Sequence, residues 1–220
     1  MTVNSNFQKQ PLIGLKDVGY WYPSGRPYEP VLKNLNLQVH KGEVVRIVGR
    51  NGSGKTTLLK MLQGELMPTV GEKKIFSSRL KVSYLDQDAS SFSAHALTVQ
   101  EQLVIGMADK VAPLTSVYKK ELMQKSLESL LPYGLRLETR LDDFVGHLSG
   151  GQRQIVALLC VLLGNTDVLL LDEFTSFMDE KSACLSLKIL KHELRTNNIS
   201  LLYVSHQNLD GLECDLQFAL

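Results

Sequence analysis

Eight consecutive residues, Gly49-Arg50-Asn51-Gly52-Ser53-Gly54-Lys55-Thr56, place glycines, a lysine and a hydroxyl in the spacing G-x-x-x-x-G-K-[ST]. Glycines in such a loop let backbone N–H groups turn inward around an anion, and a lysine adds a point charge. An apolar strand (Val44 to Val48) before the loop and a helical run after it complete the context this chemistry needs. The pattern points to a nucleoside triphosphate, with Lys55 on the β- and γ-phosphates and the Thr56 hydroxyl on Mg²⁺. Gly49, Asn51, Gly52, Ser53, Gly54 and Thr57 make up the rest of this candidate nucleotide site.

Two acids supply a second half. Leu169-Leu170-Leu171-Asp172-Glu173 ends an apolar strand on paired carboxylates, and ligands of parallel sheets bind at that strand edge. Asp172 is expected to hold Mg²⁺ and Glu173 to take a proton from the attacking water. Without a phosphate loop elsewhere, the same residues would read as a strand followed by a solvated turn. A third feature is Leu148-Ser149-Gly150-Gly151-Gln152, where Ser149 and Gln152 have the spacing of a capping box. A capped helix start with two glycines and no acid in its first turn is a second anion site. Read locally, an ordinary helix start is the better account.

The elements that must position these groups follow from periodicity and breakers. Extended stretches are expected at Gly19 to Tyr22, Leu35 to Val39, Val44 to Val48, Lys81 to Leu85, Val168 to Leu171 and Ser200 to Val204. Helices are expected over Lys55 to Gln63, Val99 to Met107, Val117 to Leu131, about Gly151 to Leu163 and about Glu180 to Asn197. Unbroken apolar strands such as Val168-Leu169-Leu170-Leu171 suit a parallel sheet covered on both faces. The fold expected is α/β, a single domain over 1–220, with a core of about 1–89 and 161–220 interrupted by a helical subdomain of about 90–160.

The whole-chain figures are those of an ordinary globular protein: 220 residues, 44% hydrophobic, 21% charged, net charge +1. No basic tract stands out, which argues against nucleic acid as a partner. Cys160, Cys184 and Cys214 are widely spaced and fit neither a metal pattern nor a disulfide framework, as in a reducing cytosol. The longest apolar run, Ile155 to Leu163, falls short of the roughly 20 residues a spanning helix requires. Met1 to Pro11 is polar and lacks the apolar stretch of a signal peptide. A role at a membrane would therefore run through a partner.

LSGGQ resembles the signature sequence of the ABC (ATP-binding cassette) ATPases, and further marks stand in that family's order. Tyr22-Pro23 is similar to the aromatic that stacks on adenine. Gln87 resembles the glutamine that touches Mg²⁺ and reports to a membrane partner. Ser176-Phe177-Met178-Asp179 stands where the family has its D-loop, and His206, after Leu201-Leu202-Tyr203-Val204-Ser205, resembles the switch histidine on the γ-phosphate. The resemblance implies a P-loop NTPase core with a mainly parallel sheet, an N-terminal antiparallel β part and a helical signature subdomain. It implies ATP and Mg²⁺ as ligands, with Glu173, His206 and Gln87 catalytic and Thr56, Gln87 and Asp172 at the metal. It also implies a head-to-tail homodimer or heterodimer, each ATP lying between one phosphate loop and the other subunit's Ser149, Gly150, Gly151, Gln152 and Asp179. Integral membrane permease subunits would be the further partners, on the cytoplasmic face of a membrane, most simply a bacterial inner membrane.

Two departures stand out. The residue after Glu173, usually proline in the family, is Phe174, and Phe177-Met178 is bulkier than the usual D-loop. The chain ends 14 residues after His206 (220 minus 206), which predicts no control domain beyond the last strand. A soluble ABC protein of the translation-factor kind is the main alternative, favoured by Lys81-Val82-Ser83-Tyr84-Leu85-Asp86-Gln87 but disfavoured by the single cassette. A chromosome-maintenance ATPase would need coiled-coil heptads that the insert lacks. A plain phosphate-loop kinase would leave LSGGQ unexplained.

Overall fold

The computed structural model describes residues 10–23, 29–86, 94–108, 121, 123–124, 128, 139–176, 178–205, 209 and 212–220. Among them, β1 (Pro11–Tyr20), β2 (Leu32–His40) and β3 (Val44–Val48) lead into α1 (Lys55–Gln63). β4 (Val70–Ile75), β5 (Val82–Leu85) and α2 (Val99–Met107) follow. A short 3₁₀ turn, Val145–His147, precedes α3 (Gly150–Leu162), and β6 (Val168–Asp172), α4 (Glu180–Asn197), β7 (Ser200–Val204) and β8 (Leu216–Ala219) complete the chain.

Five strands form one parallel sheet in the order β5-β6-β7-β3-β8. Its central strands bury both faces, and side-chain alternation divides them between two cores. From β6, Leu169 and Leu171 enter one core while Val168 and Leu170 enter the other. From β7, Leu201 and Tyr203 face the first core, and Leu202 and Val204 the second. The first core is filled by α2, α3 and α4, and the second by α1 and a three-stranded antiparallel sheet, β2-β1-β4. This double burial is why β6 reads as an unbroken apolar run.

The α/β class, the mainly parallel sheet and the antiparallel part agree with the sequence reading. The differences are local. The first strand is Pro11–Tyr20 rather than Gly19 to Tyr22, and β4 and β8 were not foreseen. Both unforeseen strands lie at sheet edges and are mostly exposed; β4 lacks the apolar alternation that marks a strand, and β8 is only four residues long. Of the expected helix Val117 to Leu131, only residues 121, 123–124 and 128 are described. Among the described residues no helix is long and apolar enough to cross a membrane.

Helix starts follow the side-chain capping chemistry of their sequences. Thr98 and Glu101 close a capping box at α2, and Ser149 and Gln152 close one at α3. In the latter, Ser149 Oγ accepts from the Gln152 N–H at 3.3 Å, and Gln152 Oε1 accepts from the Ser149 N–H at 3.1 Å. α3 then buries nearly its whole circumference, with Leu158 fully inaccessible. Leu158→Ala is expected to destabilise the protein by about 2–5 kcal/mol through lost transfer and cavity energy, read from urea denaturation midpoints. Ser149→Ala removes only the cap and is expected to cost about 1 kcal/mol in the same measurement.

Candidate active site

The phosphate loop connects β3 to α1, at the C-terminal edge of the sheet. Gly54 is the residue before α1 and has φ of 97°, a conformation that costs a side-chain-bearing residue dearly. A Cβ there would also crowd Leu32 and Val31, at 2.8 and 3.0 Å. No side chain caps α1 and no acid sits in its first turn, so its first N–H groups are left to an anion. Lys55 Nζ donates to the carbonyls of Gly49 and Arg50, both at 3.0 Å, and so lies back across the loop. Ser53 Oγ is buried in the loop without a hydrogen-bond partner. A bound phosphate would give that hydroxyl the acceptor it lacks.

Thr56 and Asp172 meet directly. Thr56 Oγ1 donates to Asp172 Oδ2 at 2.6 Å, joining the start of α1 to the end of β6. Asp172 is 8% exposed. A second donor reaches the same oxygen, the Tyr84 hydroxyl from β5 at 3.3 Å. Burial first, and then the Asp172 charge, push the Tyr84 hydroxyl well above its ordinary value, so it remains a donor. Two hard oxygens at the triphosphate end of the loop are the donor set a Mg²⁺ ion takes.

Glu173 is half-buried and follows Asp172 at the mouth of the sheet. Its N–H donates to Val204 O at 3.0 Å, tying it to the end of β7. Arg46 Nη2 donates to Ser205 O at 3.2 Å and fixes the same strand end, from which His206 follows. His206, Gln87 and Phe177 lie outside the described residues.

Tyr22 sits beside the loop, 40% exposed, its hydroxyl 3.1 Å from Thr57 Oγ1 and its ring edge-on to Tyr20 at 5.1 Å. It thus presents an accessible aromatic next to α1.

The signature turn is a separate structure at the start of α3. Its Gly151 packs on Ser182, and a Cβ there would run into the Ser182 side chain. Ser182 in turn is held by Asp179, which caps α4. Asp179 Oδ1 accepts from the Ser182 N–H at 2.9 Å, and Oδ2 accepts from the Ser182 hydroxyl at 2.7 Å. Those bonds, the hydroxyl's first, hold the Asp179 carboxyl below its usual range. Ser149, Gly150, Gly151, Gln152 and Asp179 therefore form one unit, exposed at Ser149, Gly150 and Asp179 and buried at Gly151, with Arg140 donating to Gln152 Oε1 at 3.3 Å.

Three contributors lie outside the set expected from sequence: Tyr84, Arg46 and Ser182. For Ser182 a signal exists, since it stands three residues after Asp179, the spacing of a helix cap. Tyr84 and Arg46 sit mid-strand, and only the pairing of β5 with β6 and of β3 with β7 reveals what they reach.

A family model described as ABC transporter matches residues 32–176. The tyrosine transport ATP-binding protein of Clostridioides difficile is 34% identical over 219 residues, covering 92% of this chain and 85% of that protein. The high-affinity zinc uptake system ATP-binding protein ZnuC of Bacillus subtilis is 30% identical, covering 89% of this chain and 84% of the relative. The macrolide export ATP-binding/permease protein MacB of Haemophilus ducreyi is also 30% identical, over 90% of this chain, which spans 29% of that longer protein. Among solved structures, an ATP-binding cassette in a dimeric post-hydrolysis state with ADP and Pi superposes with a TM-score of 0.74 at 27% identity, covering 90% of each chain. CbiO1 of Clostridium perfringens, part of the ABC transporter complex CbiONQ, gives 0.77 at 25% identity, over 96% of this chain and 85% of the other. These relatives are transporter components, which does not favour the soluble translation-factor alternative. On this match the chain belongs to the ABC transporter family, as an ATP-binding cassette whose hydrolysis of ATP powers transport.

Proposed function

We propose that this cassette works on the cytoplasmic face of a membrane as one half of a head-to-tail pair, docked to permease subunits and burning ATP at two shared sites. The observation that carries the reading is the 2.6 Å bond between Thr56 and Asp172, which brings the phosphate loop and the acidic strand end to one point. In this reading Lys55 leaves the Gly49 and Arg50 carbonyls and turns to the β- and γ-phosphates of ATP. Thr56 and Asp172, with Gln87, hold Mg²⁺, whose charge would offset that building up on the phosphate oxygens. The Glu173 carboxylate takes the proton of a water whose oxygen bonds to the γ-phosphorus. The bond from that phosphorus to the bridging oxygen breaks, giving ADP and inorganic phosphate. Tyr22 stacks on adenine, Asn51 and Thr57 complete the loop's contacts, and His206 contacts the γ-phosphate.

The second half of each site is the other subunit's signature unit, Ser149 to Gln152 with Asp179. Among the described residues, two α-helix starts are free of acidic residues, at α1 and α3, and of these α1 carries the lysine. Such an asymmetric pair suits a site shared across a two-fold axis. ATP closes the pair and hydrolysis opens it, and the motion passes to the permease through the helical subdomain, about residues 90–160, and the segment after Gln87. The cargoes named for the relatives, zinc, tyrosine and macrolides, share no chemistry, in keeping with cargo recognition by other subunits.

Glu173→Gln is expected to bind ATP but not turn it over, leaving an ATP-dependent dimer on size exclusion; wild-type turnover would show that another group activates the water. The shared site is tested by mixing. Lys55→Ala and Ser149→Arg are each expected to be nearly inactive alone. In a mixed dimer both lesions fall in one site and the other site is intact, so mixing should restore part of the ATPase activity. Mixed dimers that form and recover nothing would count against the head-to-tail arrangement.

A further inference from the structure

The turn that carries Glu173 has a conformation the chemistry above leaves unexplained. Glu173 has φ of 48°, in the left-handed region that a side-chain-bearing residue rarely enters. Such backbone persists where its surroundings over-determine it. Two hydrogen bonds bracket it, the Glu173 N–H to Val204 O at 3.0 Å and the Ser176 N–H to Glu173 O at 2.9 Å. They constrain the two peptide planes that flank Glu173, and the next residue adds a constraint of its own.

That next residue is Phe174, 5% exposed in a segment otherwise open to solvent at Ser176. It belongs to the apolar cluster of Leu171, Leu190, Tyr203 and Leu209 and lines a small internal cavity with them. Val204 and Ser205 line the same cavity, so Phe174 shares it with the strand end that receives the Glu173 N–H. Rotating Glu173 out of its left-handed conformation would swing Phe174 out of this core. We propose that Phe174 is a positioning residue: its buried ring locks the turn after β6 and so fixes the direction in which Glu173 presents its carboxylate. The proposal rests on the reading of Glu173 as the base.

The test is a double-mutant cycle on the full-length chain, with ATP hydrolysis and ATP affinity both measured. Phe174→Ala should lower kcat about tenfold or more, as misplaced catalytic groups do, while ATP affinity stays within about twofold. In the Glu173→Gln background the base is already gone, so Phe174→Ala should lower the residual single-turnover rate by less than about twofold. The same fold loss in both backgrounds overturns the proposal, because the effect would then not run through Glu173. So does an unchanged kcat in folded Phe174→Ala, or a loss of ATP affinity that matches the loss of kcat. Should Phe174→Ala fail to fold, Phe174→Leu, which keeps most of the apolar volume, enters the same cycle with a smaller expected loss and the same criteria. A Glu173→Gln variant hydrolysing at the wild-type rate would overturn the base assignment and this proposal together, whereas equal losses in the two backgrounds would overturn this one alone.

Discussion

The site depends on one contact, the hydrogen bond from Thr56 to Asp172. Its partners are 116 residues apart in sequence and sit on elements that are not neighbours in the sheet. β7 lies between β3 and β6, so the two strands that carry the groups are separated by two strand spacings, roughly 10 Å. Only because all three strands run parallel do their C-terminal ends fall on one edge, and only because α1 begins directly after Gly54 does Thr56 reach back over β7. The double-sided burial of β6 and β7 keeps that geometry rigid, since any shift of register would expose one of two cores.

How much of this was legible follows from what each residue depends on. The loop, the strand Val44–Val48 and the helix Lys55–Gln63 were readable to the residue, because glycine, lysine and apolar periodicity act within a short window. So was the α3 cap, whose partners are three residues apart. Tyr84 was not readable as a partner of Asp172: its role depends on β5 pairing with β6 across 88 residues, and nothing local distinguishes it from any half-buried strand tyrosine. β4 and β8 escaped for the opposite reason. They are held by backbone pairing at sheet edges, where β4 is largely polar and β8 only four residues long, so neither leaves a clear pattern.

The signature unit shows how a local motif acquires meaning from packing. As sequence, Ser149-Gly150-Gly151-Gln152 is an ordinary helix start. In the fold its glycine is forced by the Ser182 side chain behind it, and Ser182 is itself held by the Asp179 cap of α4. The starts of α3 and α4 are therefore one rigid corner. Asp179 lies six residues beyond Glu173 along a short turn, so the corner that would face a second subunit is wired by the backbone to the carboxylate that would act on water.

That wiring gives the Phe174 position its consequence. The segment from Asp172 to Asp179 has the acid bonded to Thr56 at one end and a helix cap at the other. The hydrogen bonds of Glu173 and Ser176 and the buried ring of Phe174 hold its first half. Met178 continues the pattern, half-buried against the same core, with its Sδ accepting from the Ser186 hydroxyl at 3.4 Å. Phe174 and Met178 thus do what a conformationally restricted residue could do by other means. They exchange a fixed backbone angle for side-chain burial, so the turn after β6 is stabilised by the same core that carries β6, β7 and α4. A perturbation of that core reaches the Glu173 carboxylate through this turn, while the loop's helix α1 packs in the other core.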